Sequence, residues 1–197
     1  RKNLMAQKMP GRLIGRRANR RRRRRAARLR GSQSFQGLEM LEMRQLMSSS
    51  MFGDFNGDGF DDMVIGVPSE SIGIRLDAGA VNVIYGSATG LTNANNDFWH
   101  QDSPGIRGAS QTGDRFGSAL AAGDFDGNGS DDLAIGGPGE DIGTIRNAGA
   151  VNVIYGGAAG GLTSANDDMW HQNSPGIKGG SEVGDQFGWV LATGDFD

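Results

Sequence analysis

Beyond residue 50 the apolar residues fall in short runs, separated by glycine- and aspartate-rich stretches, and the runs return at a fixed interval. Leu133 to Ile135, like Met63 to Ile65 before it, is continuously apolar, as expected of a strand covered on both faces. Val151, Val153 and Tyr155 alternate with Ala150, Asn152 and Ile154, close to the period of two that sends successive side chains to opposite faces of a strand. Phe116 to Ala122 is mildly apolar, and a weaker apolar stretch centres on Trp170. Gly and Asn turns separate these segments, and no helical periodicity runs through the block. The pattern predicts four short strands per unit and an all-β fold.

The unit is a repeat. Residues Ala78 to Gly86 return unchanged as Ala148 to Gly156, Trp99-His100-Gln101 as Trp170-His171-Gln172, and Ser103-Pro104-Gly105-Ile106 as Ser174-Pro175-Gly176-Ile177. An acidic loop opens at Asp54, Asp124 and Asp195, giving periods of 70 and 71, with Gly160-Gly161 against the single Gly90 supplying the extra residue. Such self-similarity marks an architecture in which one unit cannot bury its apolar face without its neighbours. Four strands per unit reads as a β-propeller blade, and propellers close with about four to eight blades. Counted from the loops, residues 51–123 and 124–194 form two blades, and 195–197 begin a third loop. Two blades do not close a ring, so the sequence predicts an incomplete propeller or one that self-associates through exposed blade faces. Ahead of its loop the first repeat has only Ser48 to Gly53, which predicts an incomplete first strand.

The loops read Asp54-Phe55-Asn56-Gly57-Asp58-Gly59-Phe60-Asp61-Asp62 and Asp124-Phe125-Asp126-Gly127-Asn128-Gly129-Ser130-Asp131-Asp132. Oxygen-bearing side chains at positions 1, 3, 5 and 9, with Gly at 4 and 6, suit a hard cation. Calcium takes about six to eight oxygen ligands, whereas magnesium demands tighter octahedral geometry and keeps its waters. An EF-hand or dockerin would place an acidic ligand at position 12 and a helix beyond it; here position 12 is Ile65 or Ile135, inside a predicted strand. A plain solvated turn is the competing reading, since Asp, Asn and Gly populate turns anyway. Matched spacing in two copies favours the metal.

Phe116-Gly117, the acidic loop and Ile135-Gly136-Gly137-Pro138, taken in order, resemble the FG-GAP repeat of the integrin α-chain propeller. Phe187-Gly188 opens another copy and Ile65-Gly66-Val67-Pro68 closes the first, so the resemblance covers about residues 51–197. It implies two calcium sites. The first comprises Asp54, Asn56, Asp58, the Phe60 carbonyl and Asp62; the second comprises Asp124, Asp126, Asn128, the Ser130 carbonyl and Asp132. Asp61 and Asp131, at position 8, are then expected to point outward. The resemblance further implies a secreted or cell-surface module that binds a protein or matrix ligand, in adhesion, without chemistry of its own. An alternative within it is the propeller portion of a phospholipase D-like extracellular enzyme whose catalytic domain lies elsewhere, or a structural spacer.

Charge divides the chain. Residues 1–50 hold 15 Lys/Arg and 2 Asp/Glu, and residues 51–197 hold 5 and 21. The basic arm, with its run Arg20 to Arg25, is too poor in apolar residues to fold alone and is predicted to be disordered. Arginine runs neutralise phosphates, which raises nucleic-acid binding as a minor reading. The favoured one is export or sorting. No apolar core follows the arginines, as a standard signal peptide requires. Instead Leu41, Glu42, Arg44, Leu46 and Ser48 resemble the LEPR-x-LL segment of planctomycete surface and exported proteins, with Met43 in place of its proline and Met47 in place of a leucine. There is no cysteine and hence no disulfide framework, and no apolar run long enough to cross a bilayer. His100 and His171 recur once per repeat, as do Asp97 and Asp168, so they read as structural rather than catalytic. Trp99 and Trp170 read as packing anchors between blades.

Overall fold

The structure, a computed structural model, describes residues 50–158 and 160–194. The arginine-rich arm, the segment resembling LEPR-x-LL and the start of the third loop at 195–197 lie outside the described residues. Among the described residues the chain is all-β, without a helix. Eight strands form two four-stranded antiparallel sheets. The first contains β1 (Ser50–Gly53), β2 (Asp62–Val67), β3 (Ala80–Ile84) and β4 (Asp97–Trp99), in that spatial order. The second repeats the order with β5 (Ala119–Gly123), β6 (Asp132–Gly137), β7 (Ala150–Tyr155) and β8 (Thr163–Trp170).

The predicted strands are present, with one correction. The leading strand of the first repeat is short: the four residues of β1 pair with β2, from Ser50 opposite Ile65 to Gly53 opposite Asp62, where β5 of the second repeat has five. The fourth strand ends on Trp170 instead of centring on it, and is interrupted by a register shift between Val153 and Tyr155 on its partner. The sequence period is also out of phase with the sheets. β5 precedes the second acidic loop, within 51–123, yet its ladder runs to β6, from Ala119 opposite Gly136 to Gly123 opposite Asp132. Each loop is thus the hairpin connection between the first and second strands of its own sheet.

The two sheets pack face to face. Val64, Val81 and Val83 of the first sheet and Leu133, Ile135 and Ile154 of the second share one buried cluster with Phe116, Leu120 and Leu162. Partly buried Trp99 packs against it, whereas Trp170, its equivalent, is 40% exposed. β6 is buried at every position because a second cluster covers its other face, where Ala134, Val151 and Val153 meet Phe187 and Leu191. That accounts for its continuously apolar sequence.

The segment between β4 and β5 staples the sheets together. The Phe116 N–H donates to the Ala78 carbonyl of the first unit at 2.9 Å, and the Gly117 N–H donates to the Gly136 carbonyl of the second at 3.0 Å. Gly117 also lies against Gly66, where a Cβ would fall 2.1 Å from the Gly117 carbonyl oxygen. Gly136 and Gly188 repeat that contact at the same distance. Glycine is required there because backbone meets backbone.

Candidate metal centre

Each acidic loop is held by its own ninth residue. Asp62 and Asp132 start β2 and β6 and are fully buried. Asp62 Oδ2 accepts the Phe55 N–H at 2.9 Å, and Oδ1 accepts the Gly86 N–H at 2.7 Å. Asp132 accepts from Phe125 at 2.7 Å and from Gly156 at 2.8 Å. Burial raises the pKa of both carboxyls, opposed by these backbone donors. Neighbouring carboxylates, Asp58 and Asp54 in one loop and Asp126 in the other, push in the same direction as burial.

The first and third residues wrap the loop tip. Asp54 accepts the Asp58 N–H at 3.0 Å and the Gly59 N–H at 2.9 Å, and Asn56 Oδ1 accepts the Asp58 N–H at 2.9 Å. The second loop repeats this with Asp124 accepting from Asn128 and Gly129, and Asp126 from Asn128. Gly57 and Gly59, with φ of 68° and 86°, and Gly127 and Gly129, with 75° and 90°, supply the left-handed turns that bring these oxygens round. In the second loop one oxygen each of Asp124, Asp126 and Asp132 lie within 4.8 Å of one another. The first loop has Asn56 where the second has Asp126, and its three carboxylates form no equally tight group.

The remaining expected ligands differ between copies. Asp58 and Phe60 are exposed at the first tip, and the Phe60 N–H donates to Asp58 at 2.9 Å. Asn128 accepts the Ser130 N–H at 2.8 Å while its amide donates to the Gly156 carbonyl at 3.0 Å. Ser130 is buried beside Gly57 of the first loop, so the second loop leans on the first. In both loops the donor set is all oxygen, and in the second three of its carboxylates converge, which fits a hard cation.

Asp131 departs from its expected outward orientation. Its Oδ2 accepts the Asp54 N–H at 2.9 Å and its own N–H donates to the Asp54 carbonyl at 2.9 Å, tying the two loops together. The repeat could not show this, because the equivalent Asp61 is exposed. A second group went unread in the sequence. Glu140, Asp114 and Gln101 are all buried where the segment after β4 meets the β6–β7 loop, and Gln101 Nε2 donates to Glu140 at 2.5 Å. Burial, then the Asp114 charge, lifts Glu140 to about 7, and burial lifts Asp114 to about 6.

Of the four recurring His and Asp side chains three are hydrogen-bonded, whereas His100 packs edge-on to Phe98 with its buried Nδ1 unpartnered. Tyr85 donates its hydroxyl to Asp97 at 2.6 Å, and Tyr155 donates to Asp168 at 2.9 Å. His171 Nδ1 accepts the Asn173 N–H in a turn at 3.1 Å.

Comparison with known proteins agrees with this geometry. Residues 48–84 and 116–154 match the FG-GAP repeat, a non-catalytic fold. Over 112 residues the chain is 39% identical to phosphatidylinositol-glycan-specific phospholipase D of Rattus norvegicus and 38% identical to that of Homo sapiens, covering 57% of this chain and 13% of each relative. It is 38% identical over 93 residues to integrin alpha-PS5 of Drosophila melanogaster, covering 47% of this chain and 8% of that protein. The chain therefore spans a small fraction of the length of the curated relatives it matches. Matched segments, sheets and loops coincide: the chain carries integrin-α-like FG-GAP repeats, one in each four-stranded sheet.

Proposed function

We propose that the acidic loops bind calcium and that the paired sheets form a calcium-clamped protein-binding module of a secreted or cell-surface protein. The convergence of Asp124, Asp126 and Asp132 within 4.8 Å carries this reading. Three like charges so close repel one another, and a divalent ion relieves that repulsion. Asn128 and the Ser130 carbonyl complete the second set; Asp54, Asn56, Asp58, the Phe60 carbonyl and Asp62 make the first, the weaker because its three carboxylates are less tightly gathered than those of the second. The likeness to integrin alpha-PS5 supports a protein or matrix ligand and an extracellular setting. No helix of the described residues is long and apolar enough to cross a membrane. The test is calorimetric titration of the full chain with calcium. Binding in the range of about 10⁻⁴–10⁻³ M, typical of extracellular modules, is expected. It should weaken in Asp126→Asn, and absence of binding in the unsubstituted chain overturns the reading.

A second reading rests on the 38–40% identity to the phospholipases D. In it the repeats are an accessory module of an extracellular enzyme whose chemistry lies outside these residues. Retention of the calcium-loaded chain on vesicles carrying phosphatidylinositol-glycan would favour this second reading, and its absence the first.

A further inference from the structure

The chain has two Asn-Gly pairs, Asn56-Gly57 and Asn128-Gly129, and both stand at the tips of the acidic loops. Glycine follows asparagine there because the tip turns through left-handed residues, with φ of 68° at Gly57 and 90° at Gly129. The same pairing is chemically reactive. Glycine has no Cβ to shield its backbone nitrogen, which can attack the side-chain amide of the asparagine before it. We propose that Asn56 is a site of self-deamidation in the folded protein, and that Asn128 is protected from the same reaction by its hydrogen bonds.

The two amides are held alike at the oxygen. Asn56 Oδ1 accepts the Asp58 N–H at 2.9 Å, and Asn128 Oδ1 accepts the Ser130 N–H at 2.8 Å. Each bond folds the side chain over the residue that follows, where the attacking nitrogen stands. It also polarises the carbonyl that takes up negative charge when that nitrogen adds.

The two pairs differ at both nitrogens, because they occupy different places in the loop. Asn128-Gly129 fills positions 5 and 6, and in both loops the N–H at position 6 is taken by the aspartate at position 1: Gly129 donates to Asp124 at 3.0 Å, and Gly59 to Asp54 at 2.9 Å. The leaving group is held too, since Asn128 Nδ2 donates to the Gly156 carbonyl at 3.0 Å. Asn56-Gly57 fills positions 3 and 4. Gly57 is exposed, and its N–H has no acceptor among the described residues. Asn56 is anchored there through its oxygen alone.

In the reaction the Gly57 nitrogen bonds to Asn56 Cγ and the Cγ–Nδ2 bond breaks. The amide nitrogen leaves as ammonia, carrying the proton that the Gly57 nitrogen gives up, and a five-membered cyclic imide remains. Water opens the imide at either carbonyl. Opening at Cγ yields aspartate, which gives the first loop at position 3 the carboxylate that the second has as Asp126. Opening at the backbone carbonyl yields isoaspartate, which lengthens the main chain by a methylene just ahead of Gly57. That glycine lies so near the second loop that a Cβ on it would fall 2.9 Å from Ser130 Oγ. Either product alters the first loop and leaves the residues of the second unmodified.

The test ages the full chain at physiological temperature in mildly alkaline buffer. Chelator is present, so that no cation engages the Asn56 oxygen and the outcome is independent of the calcium reading. Peptide mapping by mass spectrometry follows both sites in the same molecules, and enzymatic isoaspartate methylation distinguishes isoaspartate from aspartate. Conversion at Asn56 should outpace that at Asn128 by about tenfold or more, since two further hydrogen bonds must open before Asn128 reacts. In urea sufficient to unfold the chain the two rates should converge, because only the Asn-Gly chemistry common to both pairs remains. No conversion at Asn56 in the folded chain, a native rate at Asn128 matching that at Asn56, a preference for Asn56 that persists in urea, or a product free of isoaspartate would each overturn the proposal.

Discussion

Gly161 and Gly90 occupy the same place in their repeats, yet a side chain would meet different surroundings at each. Both have positive φ, 86° and 102°, so any substitution carries backbone strain. Only at Gly161 does a methyl group also collide with the Tyr85 hydroxyl. Gly161→Ala is therefore expected to lower stability by about 1–3 kcal/mol more than Gly90→Ala, the added penalty of overpacking. Urea unfolding of the two variants measures the difference; equal losses would mean that the tyrosine contact between sheets contributes nothing. Asp131 makes the same point with charge. Its bond to the Asp54 N–H is charge-assisted and half-buried, so Asp131→Ala should cost about 1–3 kcal/mol.

The segment from His100 to Ser118 and the β6–β7 loop bury two acids with one amide between sheets. Glu140 is lifted from an ordinary 4.5 to about 7, and Asp114 from 3.8 to about 6, in both cases chiefly by burial. A raised folded-state pKa means that the native protein holds more protons than the unfolded chain between the two values. Stability then falls as pH rises through that window and levels off above the upper one. In the presence of chelator, unfolding free energy should decrease by a few kcal/mol between about pH 4.5 and 7. Glu140→Gln keeps the hydrogen-bonding capacity without the titration and should flatten most of that slope. A melting temperature equally steep with pH in the variant would place the titrating group elsewhere.

For the molecule as a whole, the loops sit where metal would act on both sheets at once. Asp132 anchors the second loop to Gly156, and Asp131 ties it to the first. An ion bound only by the folded chain stabilises it by about 2.7 kcal/mol at a hundredfold excess over Kd. Millimolar calcium should therefore raise the melting temperature by several degrees, and chelation should reverse it. Asp126→Asn should reduce the rise, because it removes a carboxylate from the tightest cluster. Coincident melts with and without chelator would count against the clamp.

The strands, the repeat and the oxygen pattern of the loops were readable from residue order because each is local. Period-two alternation in Ala150 to Tyr155 and Gly at loop positions 4 and 6 express constraints a few residues long. The FG and GAP glycines were visible as spacing, although their reason, carbonyl against glycine between neighbouring units, is a contact over a long sequence distance. What residue order could not show is which copy of a duplicated side chain is covered. Asp131 and Asp61, Glu140 and Glu70, and Ile106 and Ile177 are equivalent by sequence, and they differ only because one of each pair has a sheet beside it. The assignment of β5 to the second sheet has the same origin: a repeat has no intrinsic starting point until backbone hydrogen bonds choose its partner. Local chemistry wrote the unit, and packing between units gave each copy its own surroundings.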